Sequence, residues 1–249
     1  MTVRSRVAML VAEFLGTGIL ATAVINVARS QIGIGYFVAF SMAIAFTVMV
    51  MVFGSLSGGH FNPAVTIGMW TLRKINTLQA VSYVAVQMLG AFGAWRLAEY
   101  FTGTKIVSIA GTSFEWKVLV AEIVGTAVFA VGYAAAVYKK QEGASMATAM
   151  GLALFVGVIV ASLASNGQLN PAVALANQSW DRAYIFGPIV GAVVGMNLYA
   201  YLFAPEANGA TAVASSSRSR SASRSAGRKT SSRAKAAPKR RATSARRRR

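Results

Sequence analysis

An Asn-Pro-Ala tripeptide occurs twice in this chain, each time after an apolar stretch. The copies are Asn62, Pro63 and Ala64 and, 108 positions later, Asn170, Pro171 and Ala172. Asparagine favours the N-cap of a helix, and proline suits the first helical position because its missing N–H costs nothing there. Each tripeptide therefore predicts the start of a short helix, over about 63–72 and 171–180, that cannot cross a bilayer.

A second marker indicates that the tripeptides belong to an internal repeat. The segment Ala-Glu-Phe-Leu-Gly-Thr at 12–17 corresponds to Ala-Glu-Ile-Val-Gly-Thr at 121–126. The offset of 109 positions between these segments agrees with the 108 positions between the asparagines. Two markers with matching offsets indicate a duplication, with repeat 1 over about 7–101 and repeat 2 over about 116–204.

The composition indicates that both repeats lie in a membrane. Hydrophobic residues make up 55% of the 249 residues and charged residues 13%, which is too apolar for an ordinary soluble domain. A bilayer core needs roughly 20 apolar residues in a helix. Six such runs occur, at 7–27, 36–56, 78–101, 118–138, 146–164 and 184–203. We therefore expect an all-α membrane protein in which residues 1–205 form six transmembrane helices and two re-entrant half-helices. Because each repeat has three spans, an odd number, the second repeat must cross the membrane in the opposite sense, so the two repeats are inverted.

The polar segments before the two tripeptides predict a cavity. Residues 57–61 read Ser-Gly-Gly-His-Phe and residues 165–169 read Ser-Asn-Gly-Gln-Leu, and irregular backbone of this kind is not tolerated in lipid. Inverted symmetry would bring both half-helix starts, with their positive dipole ends and asparagine amides, to one point near the midplane. Neutral hydrogen-bonding molecules could pass that point in single file, whereas a cation or an excess proton would meet a barrier.

These motifs together resemble the major intrinsic protein family of aquaporins and glycerol facilitators, over residues 7–204. The resemblance rests on Ser-Gly-Gly-His-Phe-Asn-Pro-Ala-Val-Thr at 57–66, the second Asn-Pro-Ala, both Ala-Glu segments, Gln-Met-Leu-Gly-Ala at 87–91 and Gly-Pro at 187–188. It implies six spanning helices and two half-helices, a homotetramer with one pore per subunit, and passive conduction of water or small uncharged solutes.

In this family selectivity depends on four positions around an outer constriction. Counting from the two asparagines, these positions fall on Met42, Val158, Gly167 and Val173. Water-selective members resemble one another in having a Phe, a His and an arginine here, and the arginine position is Val173 in this chain. Because arginine supplies fixed donors and a permanent charge, its loss predicts a wider and more apolar filter that passes glycerol, urea or dissolved gases together with water. A dry apolar gate and leaky ion conduction are the alternatives.

Four other polar residues are candidates for supporting the pore loops. Glu13 and Glu122 occupy equivalent repeat positions, and the resemblance implies that they accept hydrogen bonds from the loop backbones; a proton relay is the alternative. His60, the only histidine, either holds its loop or forms a pH-dependent gate. Gln87 is either a packing anchor or a contact near the pore. Small residues at four-residue spacing, Gly187, Gly191 and Gly195 in the last span and Gly90 with Ala94 in the third, predict close helix packing within the subunit.

The C-terminal segment 206–249 differs in composition from the rest of the chain. It contains 14 Lys and Arg residues and one acidic residue, hence a net charge of +13, and its Ser, Ala and Arg content predicts disorder. Such a tail could bind anionic lipid, with serine phosphorylation weakening the attachment, or bind nucleic acid nonspecifically. Its charges favour a cytoplasmic position for both termini, and we expect the plasma membrane.

The sequence lacks the combinations of residues that are typical of enzyme active sites. The chain has no cysteine and one histidine, and it lacks a phosphate-binding glycine loop with its lysine and a catalytic triad. We therefore predict no catalytic residue, metal site or cofactor. The second class of function is a membrane scaffold that keeps the pore fold, transports little and displays the basic tail.

Overall fold

Eight helices account for most of the chain that the structure, a computed structural model, describes: residues 2–30, 35–111 and 113–205. Six are long and two are short, and no strand occurs within these ranges. The helices are α1 (Val3–Arg29), α2 (Gly35–Ser57), α3 (Pro63–Thr71), α4 (Thr77–Thr102), α5 (Trp116–Tyr138), α6 (Gly143–Ala161), α7 (Pro171–Ala176) and α8 (Arg182–Leu202). The tail predicted to be disordered, 206–249, lies outside the described residues.

The six long helices correspond to the six predicted spans. Five of them, α1, α2, α5, α6 and α8, are long and apolar enough to cross a membrane. The sixth, α4, has 26 residues and is less apolar because it carries Gln87, Arg96 and Glu99. Helix α6 ends at Ala161, although its apolar run continues to Ala164. The residues that follow form a turn in which Ala164 N donates to Ala161 O at 3.1 Å.

The short helix α7 is shorter than expected, ending at Ala176 and not near Trp180. Gln178 has a φ of 57°, and the Ser179 N–H donates to Ala174 O at 2.8 Å. That bond closes the left-handed end of a helix, so tertiary placement of a non-glycine residue in this conformation terminates α7. Helix α3 agrees with its prediction to within one residue.

The packing of the helices follows the duplication. In repeat 1, α1 packs against α2 and α4; in repeat 2, α5 packs against α6 and α8, and α2 contacts α6 across the two repeats. Half-helix α3 packs against α8, and half-helix α7 packs against α4, so each half-helix contacts the last helix of the other repeat. This is the inverted arrangement of three plus three spans that the sequence predicts.

Glycines permit the closest helix contacts within the subunit, as predicted. A Cβ atom built on Gly191 of α8 would strike Ile123 O of α5 and lie 2.8 Å from Thr126 Cβ, and one on Gly90 of α4 would strike Phe14 O of α1. Backbones at this separation leave no room for a side chain. The two contacts are equivalent in the two repeats, since Phe14 and Ile123 are also 109 positions apart.

Replacing Gly191 by alanine should destabilise the α5–α8 contact. The added methyl group forces the two backbones apart, and overpacking of this kind costs about 1–3 kcal/mol. We expect a lower thermal unfolding temperature of the detergent-solubilised protein. The matched control is Gly93→Ala in α4, where the nearest atom to a built Cβ is Phe14 Cζ at 4.0 Å. Equal unfolding temperatures for the two variants would contradict the packing argument.

Candidate functional site

The two half-helices start at the two Asn-Pro-Ala tripeptides. Asn62 caps α3, with its Oδ1 accepting from Ala64 N at 2.8 Å. Asn170 caps α7, with its Oδ1 accepting from Ala172 N at 2.9 Å. Pro63 and Pro171 occupy the first turn of their helices. The local prediction from the sequence is therefore correct at both helix starts.

The same asparagines join the two half-helices to each other. Asn62 Nδ2 donates to Leu169 O at 2.8 Å, and Asn170 Nδ2 donates to Phe61 O at 2.9 Å. Phe61 and Leu169 have φ values of 47° and 49°, in the left-handed region that bulky residues seldom adopt. This backbone conformation presents each carbonyl to the opposite asparagine. The sequence carries no signal for it, because neither residue is Gly, Asn or Asp.

A buried carboxylate holds the first loop. Glu13 of α1 is completely buried, and its Oε1 accepts from Ser57 Oγ at 2.6 Å and from His60 N at 3.0 Å. Its Oε2 accepts from Phe61 N and from Gln87 Nε2, both at 2.7 Å. These four hydrogen bonds satisfy polar groups that lipid could not satisfy.

Glu122 of α5 holds the second loop in the equivalent way. Its Oε1 accepts from Ser165 Oγ at 2.8 Å and from Gln168 N at 3.0 Å, and its Oε2 accepts from Leu169 N at 2.7 Å. The structure thus brings each predicted glutamate to its own loop. No contact in the described residues links the two carboxylates into a relay.

His60 and Gln87 belong to one buried hydrogen-bond network in repeat 1. His60 Nδ1 lies 3.1 Å from Thr66 Oγ1, which in turn accepts from Gln87 Nε2 at 2.9 Å. The imidazole is 2% exposed and meets the rings of Tyr83 and Tyr133 edge to face, with centroids 5.3 and 6.2 Å away. The hydroxyls of those tyrosines donate to Ser57 O and Gly58 O.

The four positions predicted to form the filter are buried. Met42, Val158 and Val173 are each 0% exposed and belong to one apolar cluster. Gly167 has a φ of 60°, and a Cβ built on it would lie 2.9 Å from Val158 Cγ1. The structure therefore brings Gly167 directly against Val158, and it packs the three larger side chains into apolar surroundings.

Two arginines, Arg96 and Arg182, make contacts away from the four predicted filter positions. Arg96 pairs with Glu99 at 2.6 Å on the surface of α4. Arg182, at the start of α8, lies over the ring of Phe114 with 5.1 Å to the centroid. Neither residue lines the cavity that Ser165, Asn166 and Gln168 help to form.

That cavity, called the outer cavity here, has a volume of about 240 Å³. Its wall includes the end of α1 and the beginning of α2, on the side where the sequence predicts the extracellular face. The polar residues that line it are Ser162, Ser165, Asn166, Gln168 and Asn177. Sequence reasoning did not single out Gln168 or Asn177, since only the fold shows that they are buried at the same cavity.

Comparisons with known proteins agree on one family. The family model described as Major intrinsic protein matches residues 2–199. Aquaporin Z of Photorhabdus laumondii is 32% identical over 225 residues, which cover 78% of this chain and 97% of that protein. Human aquaporin-4 is 32% identical over 181 residues, covering 67% of this chain and 55% of that protein. Aquaporin AqpM of Methanothermobacter marburgensis is 29% identical over 195 residues, which cover 68% of this chain and 78% of that protein.

A solved structure supports the same fold. The X-ray structure of the aquaglyceroporin from Plasmodium falciparum matches with a TM-score of 0.68 over 80% of this chain and 97% of that chain, at 22% sequence identity. The motif-based resemblance, the family model and the relatives therefore coincide, and the chain belongs to the major intrinsic protein family.

Proposed function

We propose that the chain conducts water and small uncharged solutes, such as glycerol, urea or dissolved gases, through an apolar filter. The observation that carries this proposal is the crossed pair of hydrogen bonds at the half-helix starts. Each asparagine NH2 group donates one hydrogen to the opposite loop and keeps a second hydrogen for a passing molecule. These donors and the positive helix ends favour neutral hydrogen-bonding molecules over cations.

The proposal agrees with the family to which the chain belongs. The chain is a multi-pass integral membrane protein, and its family consists of passive channels for water or small solutes and not of enzymes. What remains specific to this chain is the filter. Met42, Val158, Gly167 and Val173 offer no charge and no side-chain donor, so solutes would be selected there by size and by the cost of leaving water.

A scaffold with little transport is the second candidate. It is favoured by the complete burial of Met42, Val158 and Val173, because a packed apolar constriction can exclude water. In this case the pore fold would persist while the basic tail binds anionic lipid or nucleic acid. The width of the filter remains a prediction. Measured permeability to water and small solutes distinguishes the two candidates.

Glu13, Glu122, His60 and Gln87 would support the pore without taking part in transport. The two carboxylates accept loop N–H groups, which fits a structural role better than a proton relay. His60 is enclosed by two tyrosine rings and bonded to Thr66, which supports loop holding and not a pH-dependent gate.

We also infer a homotetramer in the plasma membrane with both termini in the cytoplasm. The 14 basic residues of 206–249 follow the last span in sequence, where basic residues have most influence on orientation. The crossed half-helices, which come from a single chain, support one pore per subunit.

A flux assay on proteoliposomes tests the channel proposal. Wild-type protein should accelerate shrinkage over empty vesicles in gradients of sucrose, glycerol and urea, as followed by light scattering. If no solute or water gradient gives any acceleration, the channel is wrong and the scaffold is left.

Val173→Arg tests the filter in the same assay. The guanidinium restores donors and a fixed charge and narrows the passage, so glycerol and urea permeability should fall by about tenfold, equivalent to a barrier of ~1.4 kcal/mol. Water permeability should be kept or raised. Val173→Leu, which adds volume without charge, is the matched control. Unchanged glycerol and urea flux in Val173→Arg would mean that Val173 does not line the constriction.

Glu122→Leu tests the loop support. The substitution leaves the N–H groups of Gln168 and Leu169 without their acceptor, at a cost of about 1–3 kcal/mol for each buried group. We expect a lower yield of folded protein and a lower unfolding temperature in detergent. Glu142→Gln, at an exposed residue whose side chain makes no capping hydrogen bond, should have little effect. Equal stability of both variants would argue against the support role.

Deleting 206–249 tests the tail. Full-length protein in detergent should bind duplex DNA and anionic liposomes, with affinity falling by about 10³ or more between 50 and 200 mM salt if six or more phosphates are contacted. The truncated protein should bind neither, while its flux stays unchanged. Retention of DNA and liposome binding after truncation would rule out the tail as the polyanion site.

A further inference from the structure

Two carboxamide side chains at the outer cavity are buried without hydrogen-bond partners. Gln168 is 1% exposed and Asn177 is 2% exposed, and both line the cavity. Within the residues that the structure describes, Oε1 and Nε2 of Gln168 and Nδ2 of Asn177 make no hydrogen bond. Burying such groups unpaired is costly, so they are expected to bind something that enters the cavity.

The other polar side chains of this wall are already used within the protein. Ser162 Oγ donates to Val158 O, Ser165 Oγ donates to Glu122, and Asn166 Nδ2 donates to Ile109 O at 2.8 Å. The unpaired state is therefore particular to Gln168 and Asn177 and not a general property of the wall.

Comparison of the two repeats explains why Gln168 lacks a partner. Its equivalent in repeat 1 is His60, which lies 108 positions earlier. His60 forms a hydrogen bond with Thr66. The same offset places Ala174 at the position of Thr66. Repeat 2 therefore keeps a polar side chain at this loop position but has lost the hydroxyl that would bind it.

The second partner in the repeat 1 network is missing as well. The glycines Gly90 and Gly191 make equivalent backbone contacts in the two repeats, which pairs Gln87, three residues before Gly90, with Pro188. Proline has no side-chain donor or acceptor. Thr66 and Gln87 thus correspond to apolar residues in repeat 2, and the Gln168 carboxamide is left without a partner among the described residues.

The chemistry of the wall limits the ligand class. No described residue that lines the cavity is charged, which favours a neutral solute. A carboxamide carries a C=O acceptor beside N–H donors, so it pairs with another amide through two hydrogen bonds, and Asn177 adds further donors for the carbonyl oxygen. The volume of about 240 Å³ is below that of drug-sized pockets and suits a molecule of a few heavy atoms.

We propose that Gln168 and Asn177 form a recognition site at the outer entrance for a small neutral amide of the urea class. The site rests on the proposed channel function and adds to it a polar selection step ahead of the apolar filter. Val173 leaves the filter without hydrogen-bond donors, and the two carboxamides supply them one step earlier along the path.

Permeability ratios of full-length protein in proteoliposomes test the site. Gln168→Met keeps the size of the side chain but removes its hydrogen-bonding groups, and Asn177→Leu does the same at the second position. At low urea gradients each variant should lower the ratio of urea to water permeability by about two- to tenfold, the range expected for one lost hydrogen bond. The ratio of glycerol to water permeability should change less. Gln141→Met, in the connection between α5 and α6, is the matched control and should leave both ratios unchanged.

Three results would overturn the site. Unchanged urea-to-water ratios in both variants would mean that the carboxamides serve only water. Equal losses for urea and glycerol would exclude amide recognition, and a wild-type protein that conducts water but not urea would exclude the ligand class. Absence of all flux in the wild type would instead overturn the channel proposal itself. Normalising to water permeability in the same vesicles separates a lost site from a misfolded variant.

Discussion

The structure depends on satisfying the irregular backbone of two loops inside an apolar environment. Lipid offers no hydrogen-bond partners, so the N–H groups before each tripeptide need an acceptor from the protein. Glu13 and Glu122 supply it. Each carboxylate is fully buried, which is tolerable because three or four donors surround it. With the loops held in this way, the two half-helices can begin inside the helical bundle and not at its surface.

The crossed asparagine bonds then determine the relation between the two repeats. Because Asn62 and Asn170 each cap their own helix and donate to the opposite loop, neither half-helix can shift without breaking contacts in both repeats. The similarity between the two repeats does not extend to the side chains that surround these loops. Repeat 1 continues into a buried hydrogen-bond network that includes His60, whereas the equivalent residue in repeat 2, Gln168, is left unpaired at a cavity. This asymmetry is what distinguishes the polar side chains of the outer cavity.

Much of the fold could be predicted because the relevant signals are local or repeated. Helix caps at Asn62 and Asn170 depend on adjacent residues, and span positions depend on runs of apolar residues. Helix ends were less predictable. Helix α7 ends early because Gln178 adopts a left-handed conformation, and such conformations of non-glycine residues are imposed by packing. The left-handed Phe61 and Leu169 escaped prediction for the same reason.

The sequence by itself determined the membrane class, the duplication, the inverted architecture and the presence of a valine at position 173, since composition, offsets and residue identity require no coordinates. Only the tertiary structure decided which polar groups find partners. Gln168 and Asn177 belong to separate segments, and their burial at one cavity depends on how α1, α2, α6 and α7 pack. Whether a polar group finds a hydrogen-bond partner depends on its three-dimensional neighbours, so a sequence can name the polar residues but cannot identify those left without a partner.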